Sequence, residues 1–434
     1  MPKSQVEPAL AGSVTEKYHR SEVNLVNRWT ALGNWFEDRN SAGLDPYQKY
    51  SRGPIQPITR GAYRDGRPFE GVNFASQDYL SLSTHPKIVE AAISAAKEYG
   101  VHSAGSAALM GNTQLSIDLE CQLSEYLNYQ YVTLFTTGWG AGYGVVKTLL
   151  REGDHVVIDN LAHACLQEAA VDAKAHIYKF PHLSVPAVER RLKRIRQHDK
   201  TNGILVITES LFSMDSDTPD LINLQLLCRE YNAVLLVDCA HDLGAIGTDG
   251  KGVLGEQKIW GKIDVLMGSF SKTFSSVGGF VACNNAGLRF GLRAACGPST
   301  FTNAMGPIQA AVILASLSIV RSDEGKHRRR LLHENTLLLR QKLIGSGFTV
   351  IGRPSPIVPM IVGSTPLARL ATKFVIEYGG IVNLVEHPAV ARNRDRWRLQ
   401  VMADHKAEHI ERMVDIAVRA RDSALDCLDD TANF

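Results

Sequence analysis

Seven short apolar runs dominate the middle of this chain, and stretches with helical periodicity separate most of them. The runs cover residues 131–136, 155–159, 176–180, 204–208, 233–238, 264–269 and 279–283. Apolar strands that alternate with helices predict a mostly parallel sheet covered by helices on both faces. The pattern therefore predicts an α/β fold built on a seven-stranded sheet. Ligands of such sheets bind beyond the carboxyl ends of the strands.

The rest of the chain is predicted to add smaller parts to this sheet. Residues 1–70 are expected to form a tail, a helix and an arm, 71–315 the large domain, and 316–434 a smaller α+β domain. The arm is expected in 40–70, which shows no clear periodicity. Between residues 22 and 38 apolar side chains recur at helical spacing. They predict an amphipathic helix with a buried face made of Leu25, Trp29, Leu32 and Phe36.

Composition narrows the class of protein. The 434 residues are 44% hydrophobic and 21% charged, and the net charge of +2 gives no reason to expect a nucleic-acid partner. The seven cysteines are scattered without a Cys-x-x-Cys pair, which predicts reduced thiols in the cytoplasm and no metal site. The most apolar window, 131–150, is interrupted by glycines and by Lys147, so we expect no integral membrane segment.

Lys272 is the residue that first indicates chemistry. It lies in the stretch Gly268-Ser269-Phe270-Ser271-Lys272-Thr273-Phe274, directly after an apolar run. Most lysines are solvated surface charges, but small and hydroxyl-bearing residues surround this one. A desolvated lysine amine forms a Schiff base with an aldehyde, which is how enzymes hold pyridoxal 5'-phosphate (PLP).

Asp238 and His241 supply the partners that PLP requires. Asp238 ends the run 233–238, where a buried carboxylate is costly without a cationic partner, and a pyridinium nitrogen is such a partner. His241 follows three residues later and is expected to hydrogen-bond the ring oxygen. Each also has a structural interpretation, Asp238 as a turn cap and His241 as a buried structural histidine. Together with Lys272, they predict a PLP site.

Further candidates lie at neighbouring strand ends. Thr136-Thr137-Gly138-Trp139-Gly140 follows the first strand and opens a helix, where free amides form a phosphate cradle. His163 either stacks on the cofactor ring or merely begins a helix. Glu209 follows another strand and is expected to support the ring site. In the smaller domain, Arg398 and Arg396 have the same parity on a predicted strand, and either guanidinium suits a substrate carboxylate.

These motifs together resemble the α-oxoamine synthases, a branch of the fold-type I PLP-dependent enzymes. The resemblance runs from about Asn73 to about His405. It is carried by Asn73-Phe74-Ala75-Ser76-Gln77-Asp78-Tyr79-Leu80, Glu209 with Phe212-Ser213-Met214-Asp215, Asp238-Cys239-Ala240-His241, the Lys272 motif with Gly278-Gly279, Phe301-Thr302-Asn303-Ala304-Met305-Gly306-Pro307, and Arg398.

The resemblance implies a homodimer that condenses an α-amino acid with an acyl thioester, on CoA or a carrier protein, and releases CO2 and an α-aminoketone. Lys272 would form the internal aldimine and act as base at the substrate Cα. His163, Asp238 and His241 would complete the catalytic set. The implied cofactor contacts are Gly138, Trp139, His163, Glu209, Ser213, Asp238, His241, Ser269, Ser271, Lys272 and the neighbouring subunit's Thr302, and the implied substrate contacts are Arg398 and Asn73.

Three departures from the family pattern leave the substrate open. Ala107-Ala108-Leu109-Met110-Gly111 replaces a usual Ser-Arg or Gly-His pair, and Ser116 stands where a histidine is common. Asp242 follows His241 where the family has Ser or Gly, and it adds a negative charge near the site. The rival interpretations are a PLP-dependent aminotransferase, an amino-acid decarboxylase and a non-catalytic PLP-binding relative. A non-catalytic relative would have no need to keep Lys272, Asp238, His241 and Arg398 together.

Overall fold

The computed structural model describes residues 9–18, 21–45 and 47–432, and the chain divides into two compact units. The unit that we call central comprises Asp78–Ser213 and Asp217–Arg330. The unit that we call terminal comprises the residues up to Gln77, the short segment Met214–Ser216, and the residues from Leu331 onward.

The central unit is built on one seven-stranded sheet, as the sequence predicts. Its strands are Tyr131–Phe135 (β4), His155–Asp159 (β5), His176–Phe180 (β6), Ile204–Glu209 (β7), Val234–Asp238 (β8), Val265–Ser269 (β9) and Gly279–Cys283 (β10). The strand order is β4-β10-β9-β8-β7-β5-β6, and only β10 runs antiparallel to its neighbours. The parallel strands therefore end at a common edge, where their carboxyl ends meet.

Helices of the central unit pack around this sheet. They are Pro86–Tyr99 (α3), Gln114–Leu127 (α4), Gly138–Leu149 (α5), Ala164–Asp172 (α6), Val185–His198 (α7), Leu221–Glu230 (α8), Gly252–Glu256 (α9), Ala286–Ala294 (α10), Gly297–Thr300 (α11) and Pro307–Val320 (α12). One hydrophobic core joins the sheet to helices α5 and α6, with Val145, Leu166, Ile158 and Ile207 fully buried. Burying such side chains stabilises the layers by roughly 1.5–3 kcal/mol each.

The expected domain boundary at residue 315 falls inside helix α12, which belongs to the central unit. This helix is apolar on all sides and packs against α3 and α4. The division lies between Arg330 and Leu331, within the next helix, Asp323–Gly345 (α13). The segment predicted as tail, helix and arm falls in the same unit as the C-terminal residues.

The terminal unit contains two small sheets. The first orders Tyr50–Ser51 (β1), Ile58–Ala62 (β2), Pro68–Asn73 (β3) and Gly380–Ile381 (β13). The second is antiparallel and orders Thr349–Val350 (β11), Ile357–Gly363 (β12), Asp395–Gln400 (β15) and Leu384–Val385 (β14). Its helices are Val14–Lys17 (α1), Thr30–Ser41 (α2), Thr365–Glu377 (α14) and Ala407–Ala432 (α15). The stretch 40–70, expected to form an arm, thus contains β1, β2 and the start of β3.

The N-terminal helix differs from its prediction in both bounds and buried face. Helix α2 begins only at Thr30, and Leu25 and Trp29, expected on the buried face, are 67% and 55% exposed. The buried residues of the helix are Trp35, Arg39 and Asn40. Arg39 is held there because it bonds to main-chain and carboxylate oxygens and lies 4.7 Å from the Trp35 ring. A polar side chain therefore occupies the face that periodicity assigns to apolar ones. Of the described helices, none has the length and apolarity needed to cross a bilayer.

Candidate active site

The loop that carries Lys272 is a tight turn directly after strand β9. The Phe270 amide donates to the Gly278 carbonyl (3.0 Å), and the Ser275 amide donates to the Lys272 carbonyl (3.1 Å). Phe270 and Phe274 are buried on either side of the lysine, with ring centroids 5.6 Å apart. Two aromatic anchors thus fix the turn and present a half-buried Lys272 beyond the sheet edge.

A second attachment holds the far side of this turn. Ser275 has a φ of +50°, and its hydroxyl donates to Asp78 Oδ1 at 2.9 Å. Asp78 in turn accepts the amides of Leu82 (2.9 Å) and Ser83 (3.0 Å). The left-handed conformation of a non-glycine residue carries strain, which these bonds offset. The segment Asp78-Tyr79-Leu80 therefore supports the lysine turn.

Asp238 lies at the end of β8, between Glu209 of β7 and Met267 of β9 in the sheet register. Its side chain is buried, and Oδ1 accepts the Ala240 amide at 2.9 Å. Burial raises the pKa of Asp238, while the charges of Lys272 and then His163 act in the opposite direction. The structure thus brings Lys272, Asp238 and His163 within electrostatic reach of one another, as the sequence predicts.

Glu209 is a second buried carboxylate beside Asp238. Burial and then the charge of Asp238 raise the pKa of Glu209 well above its ordinary value, although Lys272 acts against this. Its Oε1 accepts the backbone amide of His163 at 2.7 Å. Two adjacent carboxylates in a dry site hold a proton more readily than either does alone. Glu209 therefore anchors the segment that carries His163.

His163 fits both of the interpretations that the sequence leaves open. It begins helix α6 as the N-cap, and its Nδ1 accepts the Cys165 amide at 3.3 Å. Its exposed ring also faces Trp139, with centroids 5.7 Å apart and planes at 75°. The helix cap fixes the ring at the sheet edge, which leaves it accessible to a planar ligand.

His241 has a partner that sequence reasoning missed. Tyr79, whose side chain is fully buried, places its hydroxyl 3.0 Å from His241 Nδ1. This contact restricts the orientation of the imidazole. The only sequence signal was that Tyr79 lies inside a segment already quoted for the family resemblance.

The start of helix α5 is the segment in which the sequence predicts an anion cradle. Thr137 caps the helix by accepting the Gly140 amide (2.9 Å), whereas the Gly138 and Trp139 amides have no hydrogen-bond acceptor in the described part of the chain. A Cβ at Gly138 would lie 2.6 Å from Ser269 Oγ, so only glycine permits this approach. Ser269 Oγ lies 3.1 Å from Ser271 Oγ. Free amides at a helix N-terminus beside two hydroxyls suit a phosphate.

Two other predicted cofactor contacts are less closely tied to this cluster. Ser213 is half-buried at the last position of its segment of the central unit. Thr302 lies on the loop between α11 and α12, which bonds instead to the loop before α4. There the Ala304 amide donates to Gly105 O (2.8 Å), and Ser106 Oγ donates to Thr300 O (2.7 Å). The assignments of Ser213 and Thr302 as cofactor contacts stay predictions.

In the terminal unit, the structure distinguishes Arg398 from Arg396. Arg396 is buried, and its guanidinium is bonded to Asp215 Oδ1 (2.5 Å), the Met214 carbonyl (3.0 Å) and a further main-chain oxygen. Arg398 is half-buried and has Met214 Sδ at 4.0 Å. Since Arg396 is committed to a buried ion pair, Arg398 is the better candidate for a substrate carboxylate.

Asn73, also in the terminal unit, has a side chain engaged in local structure. Its Nδ2 lies within hydrogen-bond distance of Ser76 Oγ (2.9 Å) and Thr59 Oγ1 (3.1 Å), and Oδ1 accepts the Ala75 amide (3.0 Å). These contacts hold the turn after strand β3. A substrate role for Asn73 stays a prediction.

The cluster of the central unit fits PLP in three respects. A buried Asp238 has no ion pair within 4.0 Å in the described part of the chain, which suits a protonated ring nitrogen. The cradle at Gly138 suits the phosphate, and Lys272 supplies the amine. No group of three or more metal-ligating side chains occurs among the described residues.

Comparison with known proteins identifies the family. The family model described as aminotransferase class I and II matches residues 70–416. The 8-amino-7-oxononanoate synthase of Salmonella newport (strain SL254) is 33% identical over 363 residues, which cover 83% of this chain and 92% of that protein. The 8-amino-7-oxononanoate synthase of Trichlorobacter lovleyi is 32% identical over 361 residues, which cover 83% of this chain and 90% of that protein.

Solved structures give the same result. The Sphingomonas wittichii serine palmitoyltransferase has a TM-score of 0.86 and 26% identity, covering 93% of this chain and 99% of that one. A high-resolution structure of SPT with the PLP internal aldimine has the same TM-score and identity, and the match covers 92% of this chain and 99% of that one. The 8-amino-7-oxononanoate synthase of Francisella tularensis, at 19% identity and a TM-score of 0.66, supports the fold alone. The chain therefore belongs to the aminotransferase class I and II family and, within it, to the α-oxoamine synthases, PLP-dependent acyltransferases that condense an amino acid with an acyl thioester.

Proposed function

We propose that this chain performs the decarboxylative condensation with Lys272, Asp238, His241 and His163 as its catalytic set. The observation that carries the proposal is Asp238, a buried carboxylate at the end of a strand, with Lys272 and His163 within electrostatic reach. When bound, PLP supplies an electron sink that stabilises negative charge at the Cα of an amino acid.

Each residue has a distinct task in this proposal. Asp238 keeps the ring nitrogen protonated, and His241, oriented by Tyr79, donates to the ring oxygen. His163 lies against the ring face. Lys272 holds the cofactor at rest, and its amine then removes and returns a proton at the Cα. A lysine performs both tasks because its amine is both nucleophile and base once it is desolvated.

The remaining contacts bind the two ends of the ligands. The amides of Gly138 and Trp139, with the hydroxyls of Ser269 and Ser271, hold the phosphate. Arg398 binds the carboxylate of the amino acid, because a guanidinium matches a carboxylate with two parallel hydrogen bonds. The reaction forms a bond between the Cα and the acyl carbonyl carbon and breaks the C–S bond of the thioester. The carboxylate then leaves as CO2, and a proton replaces it.

Borohydride trapping tests the assignment of Lys272 directly. The PLP-loaded protein is reduced, digested and mapped by mass spectrometry, and we expect the pyridoxyl group on Lys272. Lys251, in the same unit but ion-paired with Asp249 at 2.9 Å, is the internal control and should stay unmodified. A pyridoxyl group on any lysine other than Lys272 would contradict the proposal.

We further propose that the enzyme is a homodimer in which each subunit lends Thr302 to the other's phosphate site. Four large apolar side chains on the loops around Thr302 are more than 70% exposed in the single chain: Val101, Leu109, Met110 and Phe301. The loops that carry them are joined by the Ser106–Asn303 bridge. An exposed apolar surface of this kind is typical of a protein interface, and a second copy of the chain would cover it.

Subunit complementation tests the shared site. Lys272→Ala and Thr302→Ala proteins are denatured together, refolded and assayed as a mixture. If Thr302 acts across the interface, the mixed dimer contains one intact site and regains activity that neither parent has. If Thr302 acts within its own chain, the mixture shows no more activity than the parents combined.

We assign the enzyme to the cytoplasm. All seven cysteines are free thiols, and five of them are buried. Such scattered, unpaired cysteines are typical of a reducing compartment.

A further inference from the structure

Asp242, singled out in the sequence as a departure from the family pattern, is a fully buried carboxylate next to His241. Its Oδ1 accepts the Ser210 hydroxyl at 2.6 Å, and its Oδ2 accepts the Val253 amide at 2.7 Å. The described residues form no ion pair with it, although burying a carboxylate without a cation is costly. The proposed catalytic set gives no role to this buried carboxyl group.

Ser210 connects Asp242 to the strand end that carries Asp238. The Ser210 amide donates to the Asp238 carbonyl at 2.8 Å, and its hydroxyl oxygen lies 3.1 Å from the same carbonyl. The hydroxyl thus lies between the carboxylate of Asp242 and the main chain of Asp238. Because a serine hydroxyl has a single proton, it donates fully to only one of them at a time.

Two hydrogen-bonding arrangements follow. When Asp242 is ionised, the Ser210 hydroxyl donates to the carboxylate. When Asp242 is protonated, its own O–H donates to Ser210 Oγ, and the Ser210 hydroxyl donates to the Asp238 carbonyl. The two arrangements differ by one proton and need no movement of heavy atoms.

The space around Asp242 is built for this contact. Gly252 has a φ of +62°, and a Cβ there would collide with Asp242 Oδ2. The titratable groups around Asp242 are Asp238, Cys239 and His241 on its own segment and Tyr126 on helix α4. Two basic side chains lie on the surrounding segments: His241, and the buried Arg329 of α13, whose guanidinium donates to the carbonyls of Gly244 and Thr248. Neither forms an ion pair with Asp242. Burial raises the pKa of Asp242 to about 7, although the bonds from Ser210 and Val253 act against this.

We propose that Asp242 is a positioning residue for Asp238, which it holds through Ser210 in two arrangements that differ by one proton. The inference rests on the proposed role of Asp238 as partner of the ring nitrogen. A protonated ring nitrogen beside Asp238 neutralises the charge that opposes ionisation of Asp242. Cofactor binding therefore favours the ionised form of Asp242, and by linkage the affinity for PLP rises as Asp242 ionises.

The test is the PLP dissociation constant measured on both sides of about pH 7. For the unaltered protein we expect the affinity for PLP to rise as the pH passes this value. This rise, the affinity step, is up to roughly tenfold if binding shifts the pKa of Asp242 by about one unit. Asp242→Asn keeps the shape and mimics the protonated acid, since its amide donates to Ser210 and its oxygen accepts the Val253 amide. The affinity of this variant for PLP should show no affinity step, and at every pH it should equal the affinity of the unaltered protein at low pH.

Two more variants make the test specific. Ser210→Ala removes the hydrogen bond that favours ionised Asp242, so the step should move to higher pH. Asp264→Asn is the matched control, because Asp264 bonds Gln225 and Leu235 at the opposite ends of the same strands, and it should leave the step unchanged. Ser210→Ala changes a single hydroxyl, so it keeps the test decisive if Asp242→Asn fails to fold.

An identical step in the unaltered protein, Asp242→Asn and Ser210→Ala would overturn the inference, and so would an equal loss of affinity at every pH in both variants. The latter result would show a merely structural role. Either of these two results overturns the inference about Asp242 but not the proposed function, because the protein still binds PLP. If the unaltered protein binds no PLP at any pH, the proposed function fails, and this inference fails with it.

Discussion

The hydroxyl of Tyr79 lies 3.0 Å from Nδ1 of His241, and both side chains are buried. This contact joins the start of the central unit to the turn after strand β8. It restricts the orientation of the His241 imidazole.

We expect Tyr79→Phe to weaken PLP binding by about tenfold, because a buried histidine loses a hydrogen bond worth about 1 kcal/mol or slightly more. Isothermal titration or absorbance titration with PLP measures the change. Tyr143→Phe is the matched control, since Tyr143 bonds Asp172 at an exposed position away from the lysine turn. Equal affinities for Tyr79→Phe and the unaltered protein would show that this contact does not orient a cofactor ligand.

His182 provides a prediction on pH and stability. Its Nδ1 lies 2.9 Å from Asp159 Oδ1 and its Nε2 lies 3.1 Å from Asp217 Oδ1, in a site where its side chain is 20% exposed. Burial lowers the pKa of His182, but the hydrogen bonds and charges of Asp159 and Asp217 outweigh it and raise the pKa from 6.5 to about 10. The folded protein therefore binds this proton more tightly than the unfolded chain does.

The sign of the effect follows from linkage. The stabilisation from His182 is fully present below the unfolded value of 6.5 and is lost as the pH rises towards about 10. We expect the free energy of unfolding to fall over this window, and His182→Gln to remove that part of the fall. Urea unfolding at a series of pH values measures it. The same slope in both proteins would contradict a shared imidazolium at this position.

Glu386 joins two buried arginines of the terminal unit. It lies 3.2 Å from Arg39 and 2.5 Å from Arg369, and all three side chains are at most 5% exposed. Glu386→Gln would leave two buried cations without a counter-charge, which costs about 3–5 kcal/mol for a buried pair. We expect a marked fall in Tm.

The matched control for this variant is Glu70→Gln. Glu70 pairs with Arg60 at 2.9 Å in the same unit, but these side chains are 54% and 75% exposed. Exposed pairs contribute only about 0–1 kcal/mol, so Tm should hardly change. Similar shifts in the two variants would contradict the account of the buried cluster.

The sheet of the central unit could be predicted from the sequence because its strands are continuous apolar runs. All seven predicted strands match the observed bounds to within one residue at each end. The strands β1, β11, β13 and β14 have two residues each, too few to show a periodicity. They form only because a neighbouring strand is already in place, which local sequence does not reveal.

The site was predictable where chemistry follows a strand end, and not where a contact joins distant segments. Lys272, Asp238 and Glu209 fall into the first group. Tyr79 and His241 are 162 positions apart, and no local pattern links them. The choice between Arg396 and Arg398 depended on Asp215, which lies 181 positions before Arg396. Long-range pairs of this kind appear only in three dimensions.

The most direct measurement of the central claim is a balance of products with a carboxyl-labelled amino acid. The PLP-loaded enzyme is given amino acids singly, with and without a panel of acyl-CoA and acyl-carrier-protein donors. We predict that one pair releases labelled CO2 and free thiol in equal amounts, together with an unlabelled α-aminoketone detected by mass spectrometry. Conversion of an amino acid to its keto acid without a donor, or release of CO2 without free thiol, would contradict the account.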